Sequence, residues 1–407
     1  MKFFLLRIIG YIIGLISIIL SAIFMTGETF YEKNLNSPQI ELLISGRTDV
    51  LGQNGSLNLV GWTRSAKDFS FNKSLINPST SSLFSKDFNK YRYKKWEALM
   101  FTSEKFIFLF APFDVSYLSG YLLHWADLSD PNSEIESTWY RPFSDKVTIN
   151  DECLENCLMY NYENKLPDSS LKLAKFSKTT GNTFHFEADF DDKARTKFTL
   201  NVVLKREDSA DSISTLTPIS EDRSLFYYNL KQNGINLKGN FNFNDKEYNL
   251  ENFIATYDSG RGVWPVKSGW IWVNGNGRTS SGLVFGINIG HGFSHPEASN
   301  TTEDCFFINN KVFKLPAMHT ELLNNSHSKP WKFTVSQLTN KENLTGNRCD
   351  IKFEPLKKKW IGENLIVGKL SFNIYYGQFV GICIDIEGNE YQFEKVYGII
   401  EDKKSIW

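Results

Sequence analysis

Between Tyr257 and Gly277 the chain reads YDSGRGVWPVKSGWIWVNGNG, which places an aspartate, an arginine, three tryptophans and five glycines within 21 residues. Two kinds of chemistry fit Asp258 and Arg261, which flank Gly260 in a stretch closed by Trp264 and Pro265. In one, they form a charge-assisted pair that ties down a bulged turn. In the other, Asp258 is a general acid: a carboxyl desolvated by indoles keeps its proton more readily, and indole faces attract the cation made by protonating a double bond. Arg261 counts against the second reading, because a guanidinium alongside a carboxyl favours the ionised form.

The elements that must position these groups are strands. Gly269 to Asn274, GWIWVN, alternates so that Trp270, Trp272 and Asn274 share one face while Ile271 and Val273 share the other. The segment GNGRTSSG then turns the chain and LVFGINIG, Leu283 to Gly290, returns. A hairpin without a bulge, centred near Arg278, sets even numbers against even numbers. Trp270 and Trp272 then lie on the face that carries Val284, Gly286 and Asn288, where a glycine leaves room for an indole or a ligand to lie on the sheet. Such a face is either a filled barrel interior, with Asn288 capping indole N–H groups, or the floor of an apolar pocket. Barrels of about eight strands are just wide enough to hold one small ligand.

Period-2 alternation recurs elsewhere. Phe184, Phe186, Ala188 and Phe190 alternate with polar residues, and after DDKAR the pattern resumes at Phe198, Leu200, Val202 and Leu204, which predicts a hairpin. INLKGNFNF repeats it, and KLSFNIYYGQFVGICIDIEGNEYQFEKVYGII holds further strands about a turn at Glu387-Gly388-Asn389. Asn309-Asn310 between apolar runs reads as another hairpin turn, making Glu303 and Asp304 residues that lead into a strand rather than catalysts. The polar stretches Ser65 to Asn89 and Ala210 to Arg223 read as loops. Many short strands separated by turns argue for an antiparallel sandwich or barrel.

Other chemistries find little support. His291 and His295 have a spacing that suits a metal only on a helix, and the glycine and proline around them oppose one, so no metal site is assigned. The five cysteines fall into no zinc-ligand pattern; Cys153 and Cys157 either form a local disulfide or remain separate thiols. No Ser-His-Asp order, glycine-rich phosphate loop or nucleotide fingerprint stands out, and no cofactor is expected. Lys+Arg is 45 against Asp+Glu 46, without a basic stripe, which argues against nucleic acid as a partner. Aromatic residues reach 15 %, a composition that leans towards β. At the N-terminus an uncharged run from Ile8 to Met25 follows Lys2 and Arg7; its 18 residues and the absence of a small-x-small cleavage site predict a retained single-pass anchor, with the body on the lumenal or extracellular side and secretion as the outcome of cleavage.

Several segments together resemble the family catalogued as domain of unknown function 2804. GSLNLVGWTRS, with Gly61, Trp62 and Arg64, is similar to its opening pattern, and YRYKKWEALMFTSEKFIFLFAPFDVSYLSGY to the strand that follows. Asp258, Gly260, Arg261, Gly262, Trp264 and Pro265 match its central signature; GLVFGINIGHGF, IKFEPLKKKW and YGIIEDKKSIW look like its later segments. The resemblance covers most of residues 38 to 407. It implies distant similarity to carotenoid hydratases and lipocalin-like proteins built from two β-barrel halves, whose ligands are long apolar molecules.

The resulting expectation is an all-β, lipocalin-like double barrel: an anchor at residues 1–27, a first half at 28–215 and a second at 216–407. Its expected role is to bind a lipid or isoprenoid through Trp264, Trp270, Trp272 and Asn288, with Asp258 and Arg261 as a polar pair at one end. The competing readings are an enzyme that hydrates or isomerises a double bond, with Asp258 as acid, and a non-catalytic scaffold for protein partners.

Overall fold

The computed structural model describes residues 39–406 apart from 45–47, 65–68, 77–88, 131–133, 143–146, 151–156, 164–170, 180–182, 193–195, 206–208, 244–245, 293–300, 324–328, 336–345 and 366–367. Alternating apolar residues build two antiparallel sheets, each curled into a half-barrel. The first has 14 strands; its backbone runs from Glu134–Pro142 through Leu118–Asp127, Phe106–Asp114, Tyr93–Thr102, Ile254–Val263 and Phe226–Phe243 to the meander that ends at Val147–Ile149. The second has nine, with Lys267–Arg278 and Glu390–Ile406 side by side near its middle. In each, the two edge strands are neighbours in sequence, Glu134–Pro142 with Val147–Ile149 and Lys311–Lys314 with Met318–Leu322. Curling therefore brings the two edges within reach of a short link, which reduces exposed strand edge.

Alternation sends one set of side chains into each half-barrel and the other set between them. Phe101, Phe108, Phe186 and Tyr257 belong to the interior of the first, and Val273, Trp331, Phe353 and Phe379 to that of the second. A third apolar layer, including Met100, Tyr227, Trp264, Trp270, Trp272 and Tyr376, lies between the sheets. Each large side chain so buried contributes roughly 1.5–3 kcal/mol, which makes the seam a strong contact.

The expected hairpins form. Phe184, Phe186, Ala188 and Phe190 face Leu204, Val202, Leu200 and Phe198 in direct register. Asn309 and Asn310 both take positive φ, 45° and 67°, between Ile308 and its partner Lys311, as a two-residue turn requires. The second sheet also carries a Cys349–Cys383 disulfide between directly opposed residues of neighbouring strands. The Cys153–Cys157 expectation falls outside the described residues.

Two expectations are corrected. Ala210 to Arg223 is not all loop: Ile213–Pro218, ISTLTP, is a strand with every residue buried, paired to Phe226–Phe243 and to Gly61–Thr63. Its hydroxyl-bearing residues look polar in sequence, yet β-branched threonine suits a pleated surface. The single-pass topology, with the body lumenal or extracellular, is likewise not supported, since among the described residues no helix is long and apolar enough to cross a membrane. The one α-helix among them, Asn89–Arg92, has four residues and spans about 6 Å, against a hydrocarbon core of about 30 Å. Residues 1–27, to which the anchor was assigned, lie outside the described residues.

Candidate functional site

Asp258 and Arg261 do not pair. They sit three residues apart on the regular strand Ile254–Val263, so their side chains leave opposite faces of the sheet. Arg261 points into the first half-barrel, where its guanidinium donates to Glu97 at 2.7 Å and to the Asn150 carbonyl at 2.6 Å. Tyr257 and Ser259 also donate to Glu97, at 2.5 and 3.1 Å. Burial pushes the Glu97 carboxyl up even with Arg261 against it.

Asp258 faces the seam. Directly opposite it on Phe226–Phe243 stands Lys231, whose ammonium lies 2.9 Å from Oδ2, while Asn229 donates to Oδ1 at 2.8 Å. Both oxygens of Asp258 act as acceptors, the wrong role for a proton donor. Lys231 also lies 3.6 Å from Glu303 Oε2, and the Tyr227 hydroxyl donates to that same oxygen at 3.2 Å. Burial opposes the charge on Lys231, but the two carboxylates outweigh it and its pKa is raised. Burial pushes the Glu303 carboxyl up to about 7, with Lys231 acting in the opposite direction.

Trp264, Trp270 and Trp272 are 4, 7 and 5 % exposed and line the seam rather than a barrel interior. Trp264 meets Trp270 edge-on at 5.2 Å and Trp96 edge-on at 5.4 Å. The strand pairing sets Trp272 against Gly290 and Asn274 against Asn288, so the even-with-even parity of the hairpin holds, but its centre is three residues beyond Arg278, near Ser281. Asn288 caps an indole as expected, accepting the Trp272 N–H at 2.8 Å, and itself donates to the Glu303 carbonyl at 2.9 Å. The Trp270 N–H reaches Glu401 at 3.3 Å. Two of the three indoles expected to stabilise a cation already carry an ammonium: Lys231 stands 4.1 Å over Trp272 and Lys403 4.3 Å over Trp270. Gly286 makes room for Asn233, not for an indole or ligand, because a Cβ there would fall 2.4 Å from that of Asn233.

Glu303 is the group the strand pattern hides, because it falls just before Cys305–Ile308 and reads as a strand lead-in. Its Oε2 is engaged by Tyr227 and Lys231, whereas Oε1 is buried without a hydrogen-bond partner. Glu303 helps to line a half-open recess of about 20 Å³, together with Thr215, Thr217, Tyr227, His291 and Thr301. That is room for about one water-sized group. Thr215 Oγ1 is also buried without a partner. Gly290 forms part of the wall, and a Cβ on it would lie 2.0 Å from Glu303 Oε1, so only glycine leaves that oxygen free. His295 lies outside the described residues, and among those described no cluster of His, Cys, Asp and Glu has a metal-binding arrangement.

The family model matches residues 41–407. The chain is a member of DUF2804, a domain of unknown function. No curated protein matches its sequence. Among solved structures, this DUF2804 chain is similar to an AttH-like protein from Nitrosomonas europaea, with 11 % identity, 81 % of this chain and 98 % of that one covered and a TM-score of 0.44. It is similar as well to kievitone hydratase from Nectria haematococca, at 11 % identity, 77 and 88 % coverage and a TM-score of 0.43. CghA solved with Sch210972 gives 10 %, 88 and 97 %, and 0.45. At these values the likeness lends nothing to an activity for the DUF2804 chain, and the site must speak through its own geometry.

Proposed function

We propose that this protein binds an apolar molecule, of the lipid or isoprenoid class, at the seam between its half-barrels, and that Glu303 transfers a proton to an unsaturated carbon of it. The observation that carries this reading is a neutral-range carboxyl in the wall of the recess, with one oxygen unpartnered. With Oε2 accepting from Tyr227 and facing Lys231, the acidic proton belongs on Oε1, the unpartnered oxygen that lies against Gly290 in the wall of the recess. Donation leaves a carboxylate beside the Lys231 ammonium at 3.6 Å, so the conjugate base forms next to a compensating charge. Its raised pKa suits a general acid working near neutral pH. Asp258 serves as the counter-ion of Lys231, and the three tryptophans hold the half-barrels together while giving the seam its apolar character.

The recess admits one reacting group, and the rest of a ligand would rest on the rim at His291, Gly292 and Thr302. Acid-catalysed hydration and isomerisation of a double bond both begin with this proton; the cation it leaves is discharged by adding water and releasing a proton, or by returning a neighbouring proton to the Glu303 carboxylate. The test is mass spectrometry of organic extracts of the purified chain, followed by incubation of the recovered compound with protein in D2O. Deuterium entering the compound with the native chain, and lost in a folded Glu303→Gln variant, is the expected result. Equal incorporation by the variant would remove Glu303 from the chemistry, and a chain that yields no apolar compound would favour the scaffold reading.

A further inference from the structure

A second cavity lies at the other end of the seam and owes nothing to Glu303. Trp272 pairs with Gly290 beside the recess, and Arg278, six residues on, closes the strand at a groove of about 670 Å³. Six residues of strand place the two sites about 20 Å apart. Four chain segments converge on the groove: the turn Thr102–Phe106 and residues 249–254 of the first sheet, and Asn276–Ser280 and Glu394–Tyr397 of the second. Its capacity falls within the range of about 300–1,000 Å³ found for small-molecule sites.

The lining identifies the class of ligand by elimination. Its charged residues are three basic and two acidic, and they compensate: Lys395 reaches across the seam to Glu104 at 3.4 Å, and Lys105 pairs with Asp127 at 3.3 Å. No field of one sign is left to select an anion or a cation. A long apolar ligand would strip water from the side chains of Asn252 and Ser280 without replacing their hydrogen bonds, which is costly. A peptide that adds as a strand needs a free strand edge, but Lys267–Arg278 lies between Val284–His291 and Glu390–Ile406, Tyr93–Thr102 lies between Phe106–Asp114 and Ile254–Val263, and Lys246–Asn249, paired on one side only, reaches the groove with its last residue alone. What remains is a neutral molecule with many hydroxyls and some apolar C–H surface. The half-buried ring of Tyr397 forms one wall, and Asn252, Ser280 and Tyr397 make no side-chain hydrogen bond to any described residue, so their donors and acceptors are available to it. We propose that this groove binds a neutral oligosaccharide, with Tyr397 stacking on a sugar ring and Asn252 and Ser280 bonding its hydroxyls.

The test is a titration of the full chain with maltohexaose, cellohexaose and chitohexaose, followed by saturation-transfer NMR, with a sulfated hexasaccharide as anionic control. At least one neutral probe should bind with a Kd of about 1 mM or tighter. Tyr397→Ala should weaken that binding about tenfold, the value of an aromatic contact, and Asn252→Ala, at an exposed position that leaves folding intact, severalfold. Glu303→Gln should leave it unchanged, which separates this proposal from the acid site. No binding of the three neutral probes at about 10 mM, preference for the sulfated probe, or binding indifferent to both groove variants would each overturn the proposal.

Discussion

Replacing Glu303 by glutamine should make the protein more stable at pH 8 and leave it almost unchanged at pH 4. The folded chain raises this carboxyl from its ordinary 4.5 to about 7, chiefly by burial. A carboxyl whose pKa is higher in the folded state binds its proton more tightly there, so ionisation works against folding. Below about pH 4.5 the group is neutral in both states and has no effect; the penalty grows as pH rises through the window from 4.5 to 7 and is complete above it. That displacement corresponds to about 3 kcal/mol. Glutamine keeps the shape and stays neutral, so the variant escapes the penalty. Urea unfolding of both chains at pH 4, 6 and 8 reads the difference, and Glu401, which burial also pushes up to about 7, is present in both and cancels to first order. A stability difference between variant and native chain that does not change across this window would refute the assignment of Glu303 as a buried acid of raised pKa, and with it the basis for proton transfer.

Three further outcomes follow from the same contacts. Lys231→Met should lose about 3–5 kcal/mol in urea unfolding by leaving Asp258 buried without its cation, and Lys231→Met/Asp258→Asn should recover a large part of that loss. A double-mutant cycle between Asp258 and Arg261 should show additivity within about 0.5 kcal/mol, because their partners, Lys231 and Glu97, lie on opposite faces of the sheet; a larger coupling would restore the pair expected from the sequence. Cys349→Ala/Cys383→Ala should cost about 3–4 kcal/mol from the chain entropy of a link spanning 34 residues, measured by the shift in urea midpoint under non-reducing conditions.

The site was only partly legible in the sequence. Trp264, Trp270, Trp272, Asn288 and Asp258 all lie at one layer of the structure, but Arg261 belongs to another; Glu303 reads in sequence as a strand lead-in rather than a catalyst, and nothing local singles out Lys231, Tyr227 or Thr215. Lys231 sits within a long alternating strand, where a lysine ordinarily reads as a solvated position; its value depends on Asp258, 27 residues away in sequence and directly opposite in the sheet. Thr215 was hidden in a stretch that looked polar enough for a loop, and a second sheet covers it. No local pattern distinguishes a threonine facing water from one facing another sheet.

What the sequence determined by itself is the alternation. Covalent geometry turns successive side chains to opposite faces of any strand, so the common face of Trp270, Trp272 and Asn288 and the turns at Asn309-Asn310 and Glu387-Gly388-Asn389 were readable from composition and spacing alone. Which of the two faces meets water, a barrel interior or a second sheet is not a local property. Only the packing of one half-barrel against the other decided that the tryptophans lie in the seam, that Asp258 answers to Lys231, and that Glu303 keeps one oxygen free in the recess. Those outcomes rest on contacts between strands far apart in the chain, where burial and the pairing of charge, not spacing, set the energy.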